Sequence, residues 1–391
     1  MRTRHLVFLT VGGLGTNAGP PTRVQQPTTF AAVSAGASHT CALTTGGRAY
    51  CWGLNTEGEL GTGVRIDALV PTPVAGSINF LSIDAGVQFT CGVSETGTAY
   101  CWGSNPYGQL GNAAMPHSLT PVPVVGGLRF RTIAAGGDYA CGVSEDGAAY
   151  CWGLNHDGQL GTGDTLSSAR PVPVALGLRF LTITAGDAHT CAISVDSAAY
   201  CWGNNRFGQL GIGQRGTYLA PQPVLHQHKW LMLSAGGRHT CGVAAGRRIT
   251  AYCWGSNFYG QTQPNRASSV GPCGMVGCVR IAPPVATFIP VFIDDRLDIL
   301  GITAGRQHTC LYRHHPTLAV DCWGDNLDDQ LGRNVIGPYR QASAGDAHTC
   351  ALREEGAIYC WGRNASGQLG NGTLSNERLP VRVSEPIALR P

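Results

Sequence analysis

Charge is scarce in this chain of 391 residues: 13% of positions are Asp, Glu, Lys or Arg, lysine is nearly absent, and the formal net charge is +3. No run of Lys or Arg forms a basic tail or groove, so the sequence offers nothing to bind nucleic acid. No segment approaches the roughly 18 to 20 consecutive apolar residues of a membrane span. A GxSxG elbow, a P-loop, an HExxH helix and an EF-hand loop are also missing, so catalysis has no visible carrier. Neither a cofactor nor a metal is expected. Abundant instead are 55 Gly, 23 Pro and 16 Cys, a composition suited to many short strands joined by tight turns.

What is present repeats. A glycine corner, usually His-Thr-Cys plus small apolar residues, a glycine turn and then Cys-Trp-Gly recur seven times, as in the stretch from Ala35 to Gly53. Successive Cys-Trp-Gly anchors are 50, 50, 50, 52, 69 and 38 residues apart. Such an array means one repeated architecture. It also provides an internal control, because a residue that fills the same slot in every unit is structural, whereas one peculiar to a single unit is a better functional candidate.

Seven of the eight close cysteine pairs occupy one slot of the repeat: Cys41 with Cys51, Cys91 with Cys101, Cys141 with Cys151, Cys191 with Cys201, Cys241 with Cys253, Cys310 with Cys322, and Cys350 with Cys360. Five pairs enclose nine residues and two enclose eleven. Lengthening an antiparallel hairpin by one residue per arm keeps the partners facing, so an increment of two supports disulfides, about 4.5 to 5.5 Å between Cα atoms. Zinc is disfavoured, since each unit offers two thiols and a structural site needs four clustered ligands. Retained disulfides imply an extracytoplasmic compartment: secreted, periplasmic or cell-surface. Residues 1–19 read as a signal peptide or a disordered start, and the sequence leaves both open.

Each unit reads as four strands. In the third, Pro121–Val124 is an outer strand, Phe130–Ala134 alternates apolar with polar, and Ala140–Val143 with Ala149–Trp152 forms the cysteine-bearing hairpin. Four strands per unit and seven units predict an all-β, seven-bladed β-propeller of four-stranded antiparallel blades over residues 20–386, followed by a tail at 387–391. A terminal strand should close the ring. The PVRV at Pro380–Val383, returning to the first blade, competes for that role with Pro20–Val24. Residues 261–290 form an insertion carrying the eighth cysteine pair, Cys273 and Cys278, and Gly332–Ala342 lacks the PxPV element, so that blade has lost or shortened its outer strand.

The recurring AGxxHTCAL followed by CWGxNxxGQLG resembles the repeat of the regulator of chromosome condensation family, whose members form seven-bladed propellers. The likeness covers roughly Pro20 to Val383. It implies a propeller whose loop face binds another protein. Family members include nuclear exchange factors for a small GTPase, a plant ultraviolet photoreceptor and secreted bacterial inhibitors of β-lactamases. The photoreceptor's Gly-Trp-Arg-His-Thr would need Trp two residues before His, where this chain has Ala37, Val87, Gly137, Asp187, Gly237, Arg306 and Asp346. The disulfide-rich, secreted bacterial type is the remaining match.

The repeat assigns the obvious candidates to the scaffold. His39, His189, His239, His308 and His348 share a slot with Phe89 and Tyr139, so the slot is a packing position whose ring nitrogen can bond backbone. The tryptophans of Cys-Trp-Gly are core residues, and Trp230 is explained by a strand position. His226 with His228, and His314 with His315, lack nearby ligands for a metal. Asp294 with Asp295, and Asp328 with Asp329, are adjacent rather than spaced as an acid and a base. The variable pair inside CWGxNxxGQLG is more informative: Tyr107, Arg206, Phe207, Phe258 and Tyr259 would gather aromatic and Arg side chains over blades two to five, residue types enriched in binding hot spots. A non-enzymatic extracytoplasmic protein-binding scaffold is the first expectation. A carbohydrate-binding or polysaccharide-acting propeller is the alternative, with a glycan as ligand, and a guanine-nucleotide exchange factor is third.

Overall fold

The computed structural model describes residues 28–113, 116–225, 228–263, 286–295, 298–314, 320–333 and 335–386. Among them, 27 strands form seven antiparallel sheets, six four-stranded and one three-stranded. In the first blade the chain runs up through Phe30–Ala35, down through His39–Thr44, up through Ala49–Gly53 and back along the outer edge as Ala68–Pro73. Every later blade repeats this meander, except that the sixth stops after Val320–Gly324. There, Val335 alone takes the buried place that the closing valine of PxPV fills elsewhere, packing with Tyr312, Tyr339 and Trp361. The deletion seen in the sequence therefore removed the outer strand and kept its core contact.

Two strand assignments change. Of the segment Pro121–Val124, the first three residues end the strand His117–Pro123, which pairs with Ala99–Ser104 of the preceding hairpin, Cys101 facing Val122, and so completes the second blade rather than opening the third. The loop after Cys-Trp-Gly turns the chain back along the same sheet, and the crossing to the next blade comes after the proline-bearing strand. For the same reason the C-terminal PVRV stays in its own blade, with Cys360 facing Val381, and does not return to the first. Side-by-side packing closes the ring: Val383 is buried with Phe30 and Trp52, and the Phe30 amide donates to the Gly356 carbonyl at 3.0 Å. Residues 1–27, including Pro20–Val24, and the tail at 387–391 lie outside the described residues. Within the insertion, residues 264–285 with Cys273 and Cys278 also lie outside them, and Ala286–Asp294 is the outer strand of the fifth blade.

All seven repeat cysteine pairs form disulfides, each joining the second and third strands of its blade across directly facing positions. Their Cα atoms are 4.0 to 4.1 Å apart, nearer the narrow, non-hydrogen-bonded spacing of an antiparallel ladder than the wide one. The fifth blade accommodates its two extra residues through one added facing pair, Ala244 with Thr250, which leaves the cysteine register intact.

Three networks bind each blade to the next. Nearest the axis stand Gly36, Gly86, Gly136, Gly186, Gly236, Gly305 and Gly345; the amide of each donates to the carbonyl of the His-slot residue of its own blade at 2.9 Å. A Cβ on any of them would fall inside 3.0 Å of the next blade's glycine carbonyl oxygen. Farther out, every Cys-Trp-Gly indole Nε1 donates to the carbonyl of the Gln or Glu in the preceding blade's GQLG-type loop at 2.8 to 2.9 Å. The same carbonyl accepts a second bond from the threonine hydroxyl of His-Thr-Cys in six of the seven blades.

Between these lies the histidine slot. His39, His189, His239, His308 and His348 each place Nε2 2.8 to 2.9 Å from the threonine hydroxyl of the following blade. That hydroxyl spends its only proton on the loop carbonyl, so the imidazole must donate, which assigns a proton to Nε2. The ring bonds a neighbour's side chain, where the sequence pointed to backbone. The two departures match each other: Phe89, which has no donor, faces the one blade where threonine is replaced, by Ala140, and the Tyr139 hydroxyl lies 3.0 Å from Thr190 Oγ1.

Burial pushes these imidazoles down to about 4 for His39 and His308 and about 3 for His189, His239 and His348. The unfolded chain, titrating near 6.5, takes up protons that the native ring refuses. Their stabilising contribution is therefore complete above pH 6.5 and is lost as pH falls toward 4, by about 1.4 kcal/mol per pH unit for each histidine. Asp84, pushed up to about 6 by burial, acts in the opposite sense. Melting temperature should fall steeply on acidification, and His308→Phe combined with Thr349→Ala, copying the Phe89 and Ala140 pairing, should flatten that slope by one histidine's share. An unchanged slope in the folded double variant refutes the assignment. Gly236→Ala should cost roughly 1 to 3 kcal/mol or more by overpacking, whereas Gly46→Ala, whose Cβ would meet one hydroxyl at 4.0 Å, should be near neutral in the same denaturant titration.

Candidate functional site

Because each blade meanders up, down, up and down, the glycine corner before the histidine and the loop after Cys-Trp-Gly emerge on the same face. The loop is rigid for a local reason. Asn55, Asn105, Asn155, Asn205, Asn257, Asn326 and Asn364 each accept, on Oδ1, the amide five residues ahead at 2.8 to 3.0 Å. The Gln of GQLG, or Glu59 in the first blade, accepts the amide two residues behind at 2.8 to 3.0 Å. The frame thus absorbs its own backbone groups and leaves the two variable side chains to solvent.

Those side chains form two groups. Tyr107 meets His156 of the third blade edge-on, centroids 6.4 Å apart. Phe207 meets Phe258 of the fifth blade edge-on at 5.8 Å. Tyr107, Phe258 and Tyr259 are 42 to 58% exposed, so ring area is available to a ligand; Arg206 is exposed and Phe207 half-buried.

The corner turns supply residues that the loop pairs did not reveal. Arg238 places its guanidinium over the Phe207 ring, 5.3 Å from the centroid, inside the reach of about 6 Å of a cation–π contact. Arg306 bridges the axial mouth, with Nη1 2.9 Å from Asp346 Oδ2 and Nε 3.8 Å from Asp187 Oδ2. Burial raises the carboxyls of Asp187 and Asp346, and the guanidinium of Arg306 pulls both back toward ionisation. A concavity of about 450 Å³ opens beside this cluster, lined by Arg238, Phe258, Tyr259 and Gln307 among others. The signal was in the sequence: the slot two residues before the histidine reads Ala, Val, Gly, Asp, Gly, Arg, Asp, so it fails to repeat where the charges lie.

The other polar pairs have structural partners. Asp294 binds the buried Arg313 at 2.6 Å, Asp295 lies 3.7 Å from Arg248, Asp329 bonds Arg378 at 3.0 Å, and Asp328 accepts from Asn376 at 3.2 Å. His228 stacks on Tyr252, His314 lies 3.5 Å from Glu354, and Trp230 packs against Trp254. His226 and His315 fall outside the described residues. Among the described residues, no three His, Cys, Asp or Glu side chains are grouped to hold a metal, and no helix is long and apolar enough to cross a membrane.

The sequence profile described as RCC1-like domain matches residues 11–276, and profiles of the regulator of chromosome condensation (RCC1) repeat match 339–368 and 355–389. No curated protein sequence matches the chain. Among solved structures, Prp20p from Saccharomyces cerevisiae, described with its binding properties to Gsp1p and histones, is 18% identical over 92% of this chain and 88% of its own, with a TM-score of 0.73. Human WBSCR16 is 20% identical over 96% and 90%, with a TM-score of 0.60. The CRINKLY WD40 ectodomain of the Arabidopsis thaliana receptor kinase ACR4 is 18% identical over 92% and 99%, with a TM-score of 0.55.

Arg306→Gln removes the cation that bridges Asp187 and Asp346, leaving only the weaker pull of Arg238 on the first and Arg363 on the second, so both carboxyls should titrate higher still. A carboxyl raised in the native state costs stability as pH rises through the interval between its unfolded and folded values. The variant's loss of melting temperature relative to the parent should therefore be larger at about pH 8 than at about pH 5. An equal loss at both would show that the bridge is not the source.

Proposed function

The chain belongs to the RCC1-like domain family, and from that membership we propose that it is a non-enzymatic, extracytoplasmic protein-binding scaffold of the disulfide-rich, secreted type. The observation that carries this is the loop face: a backbone frame satisfied by its own Asn and Gln side chains presents Tyr107, Arg206, Phe258 and Tyr259 to solvent. Rigid loops bearing aromatic and Arg side chains lose little freedom on binding, so contacts convert to affinity efficiently. Seven disulfides support a compartment that keeps thiols oxidised. The ectodomain relative is in keeping with that setting.

A glycan is the second reading, favoured by the exposed Tyr107, Phe258 and Tyr259 rings, which suit stacking on sugars. Guanine-nucleotide exchange on a small GTPase, suggested by the Gsp1p-binding relative, is disfavoured by the disulfides, which a reducing nuclear compartment would not maintain. Replacing Tyr107, Phe207 and Tyr259 together with Ala should abolish capture of a partner from the native secreted fraction while leaving the melting temperature within a few degrees of the parent. Undiminished capture by the folded variant rejects the loop face. Specific binding on a glycan array without any protein partner favours the second reading.

A further inference from the structure

The concavity beside the axis has a polarity that the repeat does not require. In the slot immediately before the histidine, the seven blades carry Ser38, Gln88, Asp138, Ala188, Arg238, Gln307 and Ala347, so the fifth alone presents a cation. Arg238 is exposed and makes no direct ion pair among the described residues, although its charge is felt by Asp187 across the pocket, whereas Arg306 beside it is already held between Asp187 and Asp346. Its guanidinium stands over the Phe207 ring, itself edge-on to Phe258, so the cation–π contact favours this position before anything binds. A planar fork held in this way is preorganised for a carboxylate. Volume limits the guest: about 450 Å³ admits one or two side chains, not an element of secondary structure.

The walls define the rest of the guest. Phe258 and Tyr259 form the outer side and are largely exposed, so an apolar neighbour of the anion gains burial there. Asp187 stands on the axial side, repelling an anion from the axis and directing it toward Arg238. We propose that this pocket receives an acidic side chain, flanked by an apolar residue, from an extended segment of the protein partner, with the carboxylate on Arg238 and the apolar neighbour against Phe258 and Tyr259. This rests on the protein-binding reading and narrows it to a partner of stated chemistry at one place on the face.

The test uses the full chain and arrays of capped octapeptides whose central residue is Glu, Gln or Lys, with flanking positions varied. Glu members should bind about tenfold more tightly than their Gln counterparts, as expected of a charge-assisted contact, and Lys members should not bind. Arg238→Gln, at an exposed position where folding is not at stake, should erase the difference between Glu and Gln. Equal binding of Glu and Gln peptides, no peptide binding at all, or a Glu preference untouched by Arg238→Gln overturns the proposal. So does Arg238-dependent binding of oligogalacturonate in preference to every peptide. If Phe258→Ala with Tyr259→Ala weakens all peptides alike while Arg238→Gln changes nothing, the protein-binding face stands and the acidic guest falls.

Discussion

The whole ring hangs on the contact between successive axial glycines. Each corner amide is used within its blade, and the backbone of the next residue approaches the following blade's glycine carbonyl, as in the 3.2 Å bonds from Ala37 to Gly86 and from Gly237 to Gly305. That approach leaves no room for a Cβ. It sets the spacing between blades, and the spacing in turn brings each imidazole within reach of the next threonine and each indole within reach of the preceding loop carbonyl. A looser inner ring would leave buried donors on six tryptophan-lined interfaces and the closing seam without partners, at a cost of about 1 to 3 kcal/mol for each.

Because the networks run between blades, a change in the histidine slot must suit the residue that faces it in the following blade. Phe89 is tolerated because Ala140 presents no hydroxyl to be left unsatisfied, and Tyr139 is tolerated because Thr190 still finds the phenol. The sixth blade obeys the same logic at its periphery: it gives up an outer strand, which contributes nothing to the inner networks, and retains Val335, which fills the core beside Trp361.

Fold and staples were legible because both depend on spacing. A two-residue increment in two hairpins preserves facing cysteines, and a period near fifty residues with four strands leaves few architectures. Phase was not legible, since a repeat marks its length and not its starting point; only the pairing of Cys101 with Val122 assigns the proline-bearing strand to the blade before it. The site was legible in part. Comparing units exposed the variable loop pairs, but the corner residues Asp187, Arg238, Arg306 and Asp346 act on one another across blades, and linear sequence does not show that residues 119 and 40 positions apart converge on one guanidinium or its neighbours.

The same division explains how a rigid ring can serve as an adaptable face. The disulfides, glycines, histidines and indoles draw on backbone groups and neighbouring blades, and none of them needs the two variable loop positions or the two residues between the glycine and the histidine. Substitution there changes charge and ring area without removing any bond of the glycine, histidine or indole networks, although it can remove a side-chain bridge such as that of Arg306 to Asp187 and Asp346. Arg238 illustrates the point: it is added to a corner whose backbone amides and carbonyls are already committed, and it gains its orientation from Phe207, which comes from another blade's variable pair. Recognition on this face is therefore a property of pairs of variable residues from adjacent blades, set by the ring's geometry.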